Sequence, residues 1–219
     1  MTSRNALIVR GGWSGHSPVE ATDRFLPFLE ESGFRVTVSD SLDVYTDADL
    51  MAGTDLILQC WTMGTITAEQ VAGLRGAVQA GTGLAGWHGG IADSFRDNSD
   101  YLHLVGGQFA CHPGGFVDHT VEVVPEQAAH PIVAELTSVA LHTEQYWVLA
   151  DGHNQVLATT TLPSREGDPW ADPVVSPAVW TRQWGEGRIF VCTVGHQPQD
   201  LDVPAVRDVV ERGLTWASR

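Results

Sequence analysis

Apolar residues recur along the chain in two ways, as short unbroken runs and as stripes at helical spacing, and the two alternate. Ala6-Leu7-Ile8-Val9-Arg10 is a run of the kind a strand carries when both of its faces are covered, and it empties into Gly11-Gly12-Trp13-Ser14-Gly15-His16. Ser17-Pro18-Val19-Glu20 reads as a helix start, with Ser17 as N-cap, Pro18 at N1 and Glu20 at N3 closing a capping box. Phe25, Phe28 and Leu29 supply that helix's apolar stripe, and Gly33 ends it. Phe34 to Val38 alternates as a second strand, Thr54 to Trp61 is a third, and Thr67 caps a helix reaching about Ala80. The stretch Gly81 to Gly90 holds a fourth, short apolar strand that ends in the glycine-flanked His88. This rhythm predicts an open α/β sheet, mainly parallel, with helices on both faces. The glycines after His88 allow a sharp turn that lifts one side chain above the strand end, the shape of a nucleophile elbow without a nucleophile.

Beyond His88 the pattern loosens. Asp93 to Asn98 is polar, Tyr101 to Val105 reads as a short helix closed by Gly106-Gly107, and Gln108 to Gly115 reads as a loop. His119 to Val124 alternates as a strand, and the whole segment is expected to form an insertion over the ligand crevice. His130-Pro131-Ile132-Val133 begins a short element, Leu141 to Trp147 precedes a strand near Gln155 to Thr160, and Leu162 to Val174 reads as an exposed loop. Ala178 to Trp184 and Arg188 to Val194, joined by Gly185-Glu186-Gly187, predict a C-terminal β-hairpin whose second strand runs into Gly195-His196. A final amphipathic helix from Pro204 to Ala217 places Val206, Val209, Val210, Leu214 and Trp216 on or near one face.

With 219 residues, 43% of them hydrophobic, the chain suits one compact domain spanning 1-219. Twelve basic residues against twenty-seven acidic ones give a formal net charge of -15, which argues against nucleic acid and anionic membrane surfaces as partners. Cys60, Cys111 and Cys192 are too few and too widely spaced for a disulfide framework or a thiolate zinc site, and Cys192 lies within a strand-like run as a small apolar residue. The N-terminal residues Met1 to Asn5 lead at once into the first strand, with no hydrophobic signal region, and no apolar run approaches the ~20 residues that span a bilayer. The expected location is cytoplasmic. The first glycine loop matches no phosphate-binding fingerprint, so nucleotide binding has no support.

Taken in order, several segments together resemble the ThuA-like (trehalose-utilisation) family. They are His16 after the first glycine loop, the Gly86-Trp87-His88 turn, Leu104-Val105-Gly106-Gly107-Gln108-Phe109 followed by His112, His130-Pro131, Glu144-x-Tyr146, and Trp180 through Gly187-Arg188-Ile189-Phe190 to Gly195-His196. The resemblance implies a flavodoxin-like fold of the class I glutamine amidotransferase type, and a setting in the catabolism of trehalose, related disaccharides or keto-sugars. An amidotransferase needs a cysteine at the elbow to attack the glutamine amide, and His88 stands there instead. Where the family pattern often has an acidic residue before the glutamate of Glu-x-Tyr, this chain has Thr143.

His16, His88, Glu144 and His196 are the candidate catalytic residues, and Trp61, His112, Trp87 and Tyr146 the candidate substrate-binding ones. His16, Trp61, His88, His112, Glu144 and His196 fall at expected strand ends or in loops that can converge on one face of the sheet. Histidine titrates near neutrality and suits proton transfer next to a sugar carbonyl, with a carboxylate to orient it. Tryptophans, Trp13 included, offer flat faces to a pyranose, although at least half of the eight are expected in the core. The preferred expectation is an enzyme acting on a sugar or keto-sugar as an isomerase, lyase or hydrolase. A second is a divalent metal (zinc, manganese or iron) held by His16, His88, His112, Glu144 and His196. A third is a non-catalytic sugar-binding or partner-docking protein. The expected partners are a small sugar, a second copy of the chain in a homo-oligomer and a separate NAD-dependent sugar oxidoreductase; His130 and His153 are expected to be structural or surface residues.

Overall fold

The computed structural model describes residues 4–219; the expectation for Met1, Thr2 and Ser3 lies outside the described residues. Strand β1 (Arg4–Gly12) alternates its buried side chains between two cores, Ala6 and Ile8 to one face and Leu7 and Val9 to the other. Being covered on both faces is why its sequence shows a continuous apolar run rather than an alternating one. A 3-10 turn at Ser14–His16 follows, then helices α1 (Pro18–Asp23) and α2 (Leu26–Glu31). The single helix and capping box expected here do not form. Ser17 takes a left-handed backbone (φ 45°) and makes no side-chain cap, and Pro27, which has no N–H to donate, interrupts the helical ladder.

β2 (Phe34–Ser39), α3 (Ala48–Ala52), β3 (Leu56–Thr62), α4 (Ala68–Gln79) and β4 (Gly83–Trp87) complete the regular half. Thr67 caps α4 in a reciprocal box with Gln70. After His88 come α5 (Gly89–Ala92), α6 (Ser99–Val105), β5 (Gly107–Cys111), β6 (Phe116–Val123), β7 (Ser138–Glu144), β8 (Trp147–Ala150), β9 (Gln155–Leu162), β10 (Val174–Trp184), β11 (Gly187–Cys192) and α7 (Pro204–Ala217).

Nine strands form one sheet in the order β2-β1-β3-β4-β11-β10-β9-β6-β7, and β5 and β8 pair as a separate ribbon. The first five in that order run parallel and the remaining four antiparallel. One further sequence expectation is corrected: Gly107–Cys111 is a strand rather than a loop, because it finds β8 as its partner. Of the segment expected to insert over the crevice, β6 joins the main sheet between β9 and β7, and β5 stands outside it. β10 and β11 form the expected C-terminal hairpin, and β11 sits beside β4 in the middle of the sheet.

Along the antiparallel half, two reversals restore strand direction, so β7 runs in the same sense as β11 and ends at the same sheet edge. Four interstrand spacings of about 4.8 Å would hold β7 roughly 19 Å from β11 in a flat sheet. Glu144 at the end of β7 nevertheless reaches His88 after β4, at 3.2 Å, so this half curls back over the parallel half. The curl is what carries the end of β7 to the crevice. Helix α7 covers the same face with Val206, Val209, Val210 and Leu214, while Trp216 is only half-buried. No helix among the described residues is long and apolar enough to cross a membrane.

Candidate functional site

The ends of β1, β3, β4, β7 and β11 meet at one edge of the sheet. His88, directly after β4, is 1% exposed and holds φ 47° and ψ -139°, a strained backbone for a residue with a Cβ. Its N–H donates to Cys192 O (2.7 Å), and its ring Nδ1 lies 2.8 Å from Thr193 O. A carbonyl can only accept, so Nδ1 carries the proton and Nε2 is the working nitrogen. Nε2 lies 2.8 Å from the Tyr146 hydroxyl and 3.2 Å from Glu144 Oε2.

Glu144 is the last residue of β7, and it gathers the other imidazoles. His196 Nδ1 is 3.1 Å from Oε2, and His112 Nε2 is 3.6 Å from Oε1. His196 Nδ1 is nevertheless misaligned for a hydrogen bond and, like His112 Nδ1, is a buried atom with no partner. His16 turns inward from the loop after β1; its Nδ1 meets Thr62 Oγ1 at 2.9 Å, and its ring centroid is 4.7 Å from that of His88 and 4.9 Å from that of His196. A Cβ on Gly89 would collide with this ring, so the glycine after the elbow is what admits His16.

Burial, reinforced by His88 and His196, pushes His16 down to about 3. Burial also lowers His88, against the opposing pull of Glu144 and of the Thr193 carbonyl. For Glu144, burial alone would raise the carboxyl, but the close approach and charge of His196 and His88 hold it well below the usual carboxylate range. Burial, with the charges of Glu144 and Asp93, keeps the Tyr146 phenol protonated far above its ordinary range. The result is an ionised carboxylate, a protonated phenol and, at His16 and His88, imidazoles pushed toward neutrality, which is equipment for moving a proton or holding a cation.

The other expected residues fall as follows. His112, 40% exposed, lies at the rim after β5. Tyr146 is buried against His88 (centroids 4.1 Å apart), with its hydroxyl on Nε2. Trp61 turns its half-buried ring over the backbone of Gly11. Trp87 is corrected as a substrate contact. It is buried in the core against Phe25, because on a strand the residue before the elbow faces opposite to it. Trp87 and Trp180 are fully buried, and Trp61, Trp184 and Trp216 pack half-buried against the two cores, so five of the eight tryptophans take part in core packing. Cys60 and Cys192 are also core residues, with thiols pushed up to about 12 by burial.

Two exposed aromatics stand at the cluster. Trp13, 48% exposed, meets His16 edge-on (4.8 Å), and Phe116, 43% exposed, meets His196 edge-on (5.0 Å). Phe116, Thr62 and the Thr193 carbonyl were not anticipated from sequence. The one available signal for Phe116 was an aromatic opening a strand directly after Gly114-Gly115.

A family model described as ThuA, trehalose utilisation, matches residues 5–217. No curated protein matches the chain. Among solved structures it is similar to a ThuA-like protein of Bacteroides uniformis (17% identity, TM-score 0.74, 99% of this chain and 93% of that one). It is similar also to a ThuA-like protein of Parabacteroides merdae (15%, TM-score 0.74, 99% and 90%). A β-galactosidase of Rahnella sp. R3 matches 99% of this chain over 31% of its own length, at 14% identity and TM-score 0.60.

Proposed function

Starting from the fact that the chain belongs to the ThuA family of trehalose utilisation, we propose that it is an enzyme of disaccharide catabolism working by proton transfer on a keto-sugar. The observation that carries this reading is the contact of Tyr146 Oη and Glu144 Oε2 with one nitrogen, His88 Nε2, at 2.8 and 3.2 Å, beneath two exposed aromatics. Trp13 and Phe116 give a sugar ring apolar faces to lie on, and the neutral, polyhydroxylated ligand suits a chain of net charge -15 that would repel a phosphorylated one.

In a keto-sugar the hydrogen α to the carbonyl is acidic enough to be removed by a positioned base. The substrate carbonyl takes the Tyr146 O–H that otherwise caps His88 Nε2, the freed nitrogen accepts the α-proton, and Glu144 stabilises the imidazolium. The electron pair from the C–H bond forms a carbon–carbon double bond. The β C–O bond breaks, and the departing oxygen takes a proton from the cluster, where His196 faces Glu144. Reprotonation at carbon instead would give isomerisation. A separate NAD-dependent oxidoreductase would supply the keto group, because this chain has no dinucleotide fingerprint.

The test is NMR of 3-keto-disaccharides and of trehalose in deuterated buffer. Deuterium entering beside the carbonyl, or a new sugar product, is expected, with loss of both in His88→Ala and Glu144→Gln; full turnover in both variants would sink the assignment. A second reading, sugar binding without chemistry, is favoured by the similarity to one part of a much longer β-galactosidase, and saturable line broadening without exchange would select it.

A further inference from the structure

We propose that His16, His88, His196 and Glu144 form a binding site for one divalent first-row transition ion, of the zinc, iron or manganese type. One donor atom from each of the four residues lies within 4.8 Å of the donors of the other three. Ligands at about 2.0–2.2 Å around a tetrahedral ion stand roughly 3.3 Å apart, and the distances from Glu144 Oε2 to His88 Nε2 (3.2 Å) and His196 Nδ1 (3.1 Å) already match. The widest pairs, within 4.8 Å, need a contraction of at most about 1.5 Å to close on an ion.

Two further observations separate this arrangement from a chance gathering of polar residues. The first is the outer partners. His88 commits Nδ1 to a backbone carbonyl and His16 commits Nδ1 to the Thr62 hydroxyl, the second contacts by which ligating imidazoles are aimed. The other nitrogen of His88, Nε2, faces the Tyr146 hydroxyl and Glu144 Oε2. The second is the buried His196 Nδ1, which faces a carboxylate without a hydrogen bond, an expensive state that a cation between them would relieve.

The donor set also selects the ion. Three imidazoles with one carboxylate suit borderline metals, whereas calcium and magnesium demand oxygen shells. Copper(I) and iron–sulfur chemistry would need thiolates, and the buried Cys60 and Cys192 are core residues. His112 falls outside the four, at 3.6 Å from Glu144 Oε1 and 40% exposed. A bound ion would engage the His88 Nε2 lone pair and supply Lewis-acid chemistry, so His88 would be a ligand in the loaded protein and the proton acceptor only in the metal-free one, with Tyr146 and His112 as the neighbouring protic groups.

This site shares its residues with the sugar chemistry proposed above but does not depend on the sugar. The experiment is elemental analysis of untagged protein, followed by chelation and titration with zinc, iron(II), manganese and cobalt(II). Expected are about one ion per chain, a rise in unfolding temperature on loading, and cobalt absorption bands of a nitrogen–oxygen site. His196→Ala and Glu144→Gln should lose the ion, and Thr62→Val should weaken binding roughly 10–100-fold, while His142→Gln, at an exposed position, should leave stoichiometry unchanged. Folding of each variant is checked by circular dichroism. No bound ion and no thermal shift with any of the four metals would overturn the proposal. Turnover by fully chelated protein would also overturn a catalytic role for the ion while leaving the sugar reading intact; a bound ion without sugar turnover would do the reverse.

Discussion

Replacing Gly89 by alanine tests the construction of the site without touching any of its polar groups. Gly89 opens α5 with no left-handed torsion, so alanine is compatible with its backbone and by itself contributes about 0.4–1 kcal/mol through the unfolded chain. Its methyl would lie 2.5 Å from His16 Nδ1 and 3.1 Å from Thr62 Cγ2, where ordinary contact begins at 3.4 Å. The imidazole, whose Cε1 comes closer still, must therefore retreat by about 1 Å to reach ordinary contact. A side-chain tip can do so more easily than backbone. The retreat strains or breaks the 2.9 Å bond to Thr62, and loss of that bond with overpacking costs about 1–3 kcal/mol each. A net destabilisation of about 2 kcal/mol lowers the urea midpoint by about 1 M, and displacing a site imidazole by this distance costs roughly 10²-fold in turnover. Urea unfolding and the nuclear Overhauser contact between the His16 ring and the Thr62 methyl read the two effects separately. Gly90→Ala is the companion measurement, since its methyl would lie 2.9 Å from Cys60 Cα, which is backbone and cannot swing aside; it should cost more stability. If Gly89→Ala leaves both the midpoint and the His16–Thr62 contact unchanged, the packing argument is wrong.

Tyr146→Phe keeps the ring on His88 but removes the 2.8 Å bond to Nε2; a stability loss of about 1 kcal/mol and roughly 10²-fold slower exchange beside a keto-sugar carbonyl are expected, and unchanged exchange takes Tyr146 out of the proton path. In chelated protein, His16 remains neutral down to about 3, whereas the unfolded chain protonates it near 6.5, so stability falls as pH drops through 6.5, by at most about 1.4 kcal/mol per pH unit. Glu144, held below its usual range, adds to the loss only beneath about pH 4.5, and equal urea midpoints at pH 7 and pH 5 would contradict the His16 assignment. With Ellman's reagent at pH 8 one thiol per native chain, Cys111, should react, because the buried Cys60 and Cys192 sit at about 12 and are thiolate in only about one molecule in 10⁴; two fast thiols would refute their burial.

The sequence was most legible where structure is local or fully buried. β1, β3 and β4 announce themselves as apolar runs, Thr67 and Gln70 write their own cap, and α7 follows its stripe from Pro204 to Ala217. β5, β7 and β8 were not legible, because they are short, partly exposed strands given their conformation by partners well away in the chain, as Gly107 is by Ala150. The motif at Ser17 misled for a different reason: the turn that sends His16 inward forces Ser17 to φ 45°, where its hydroxyl does not reach the helix. At the edge of the sheet, the convergence of His16, His88, Glu144 and His196 could be argued from strand ends and family resemblance. The curl that brings Glu144 back to β11 could not, since it is a property of nine strands together. Trp87 could have been excluded by the two-residue alternation of β4 alone.

The insertion of β11 beside β4 also has a meaning for the ribosome. Trp87 and Gly187 are separated by 100 residues, and β4 has no partner on that side until the later strand arrives. At 5–20 residues per second, the nascent chain presents an open, apolar strand edge for roughly 5–20 s. The backbone carbonyls that fix His88 belong to Cys192 and Thr193, so throughout that interval the elbow has no clamp. A chain halted before Gly187 would carry a sticky template for edge-to-edge association, making late synthesis the vulnerable moment in this protein's life.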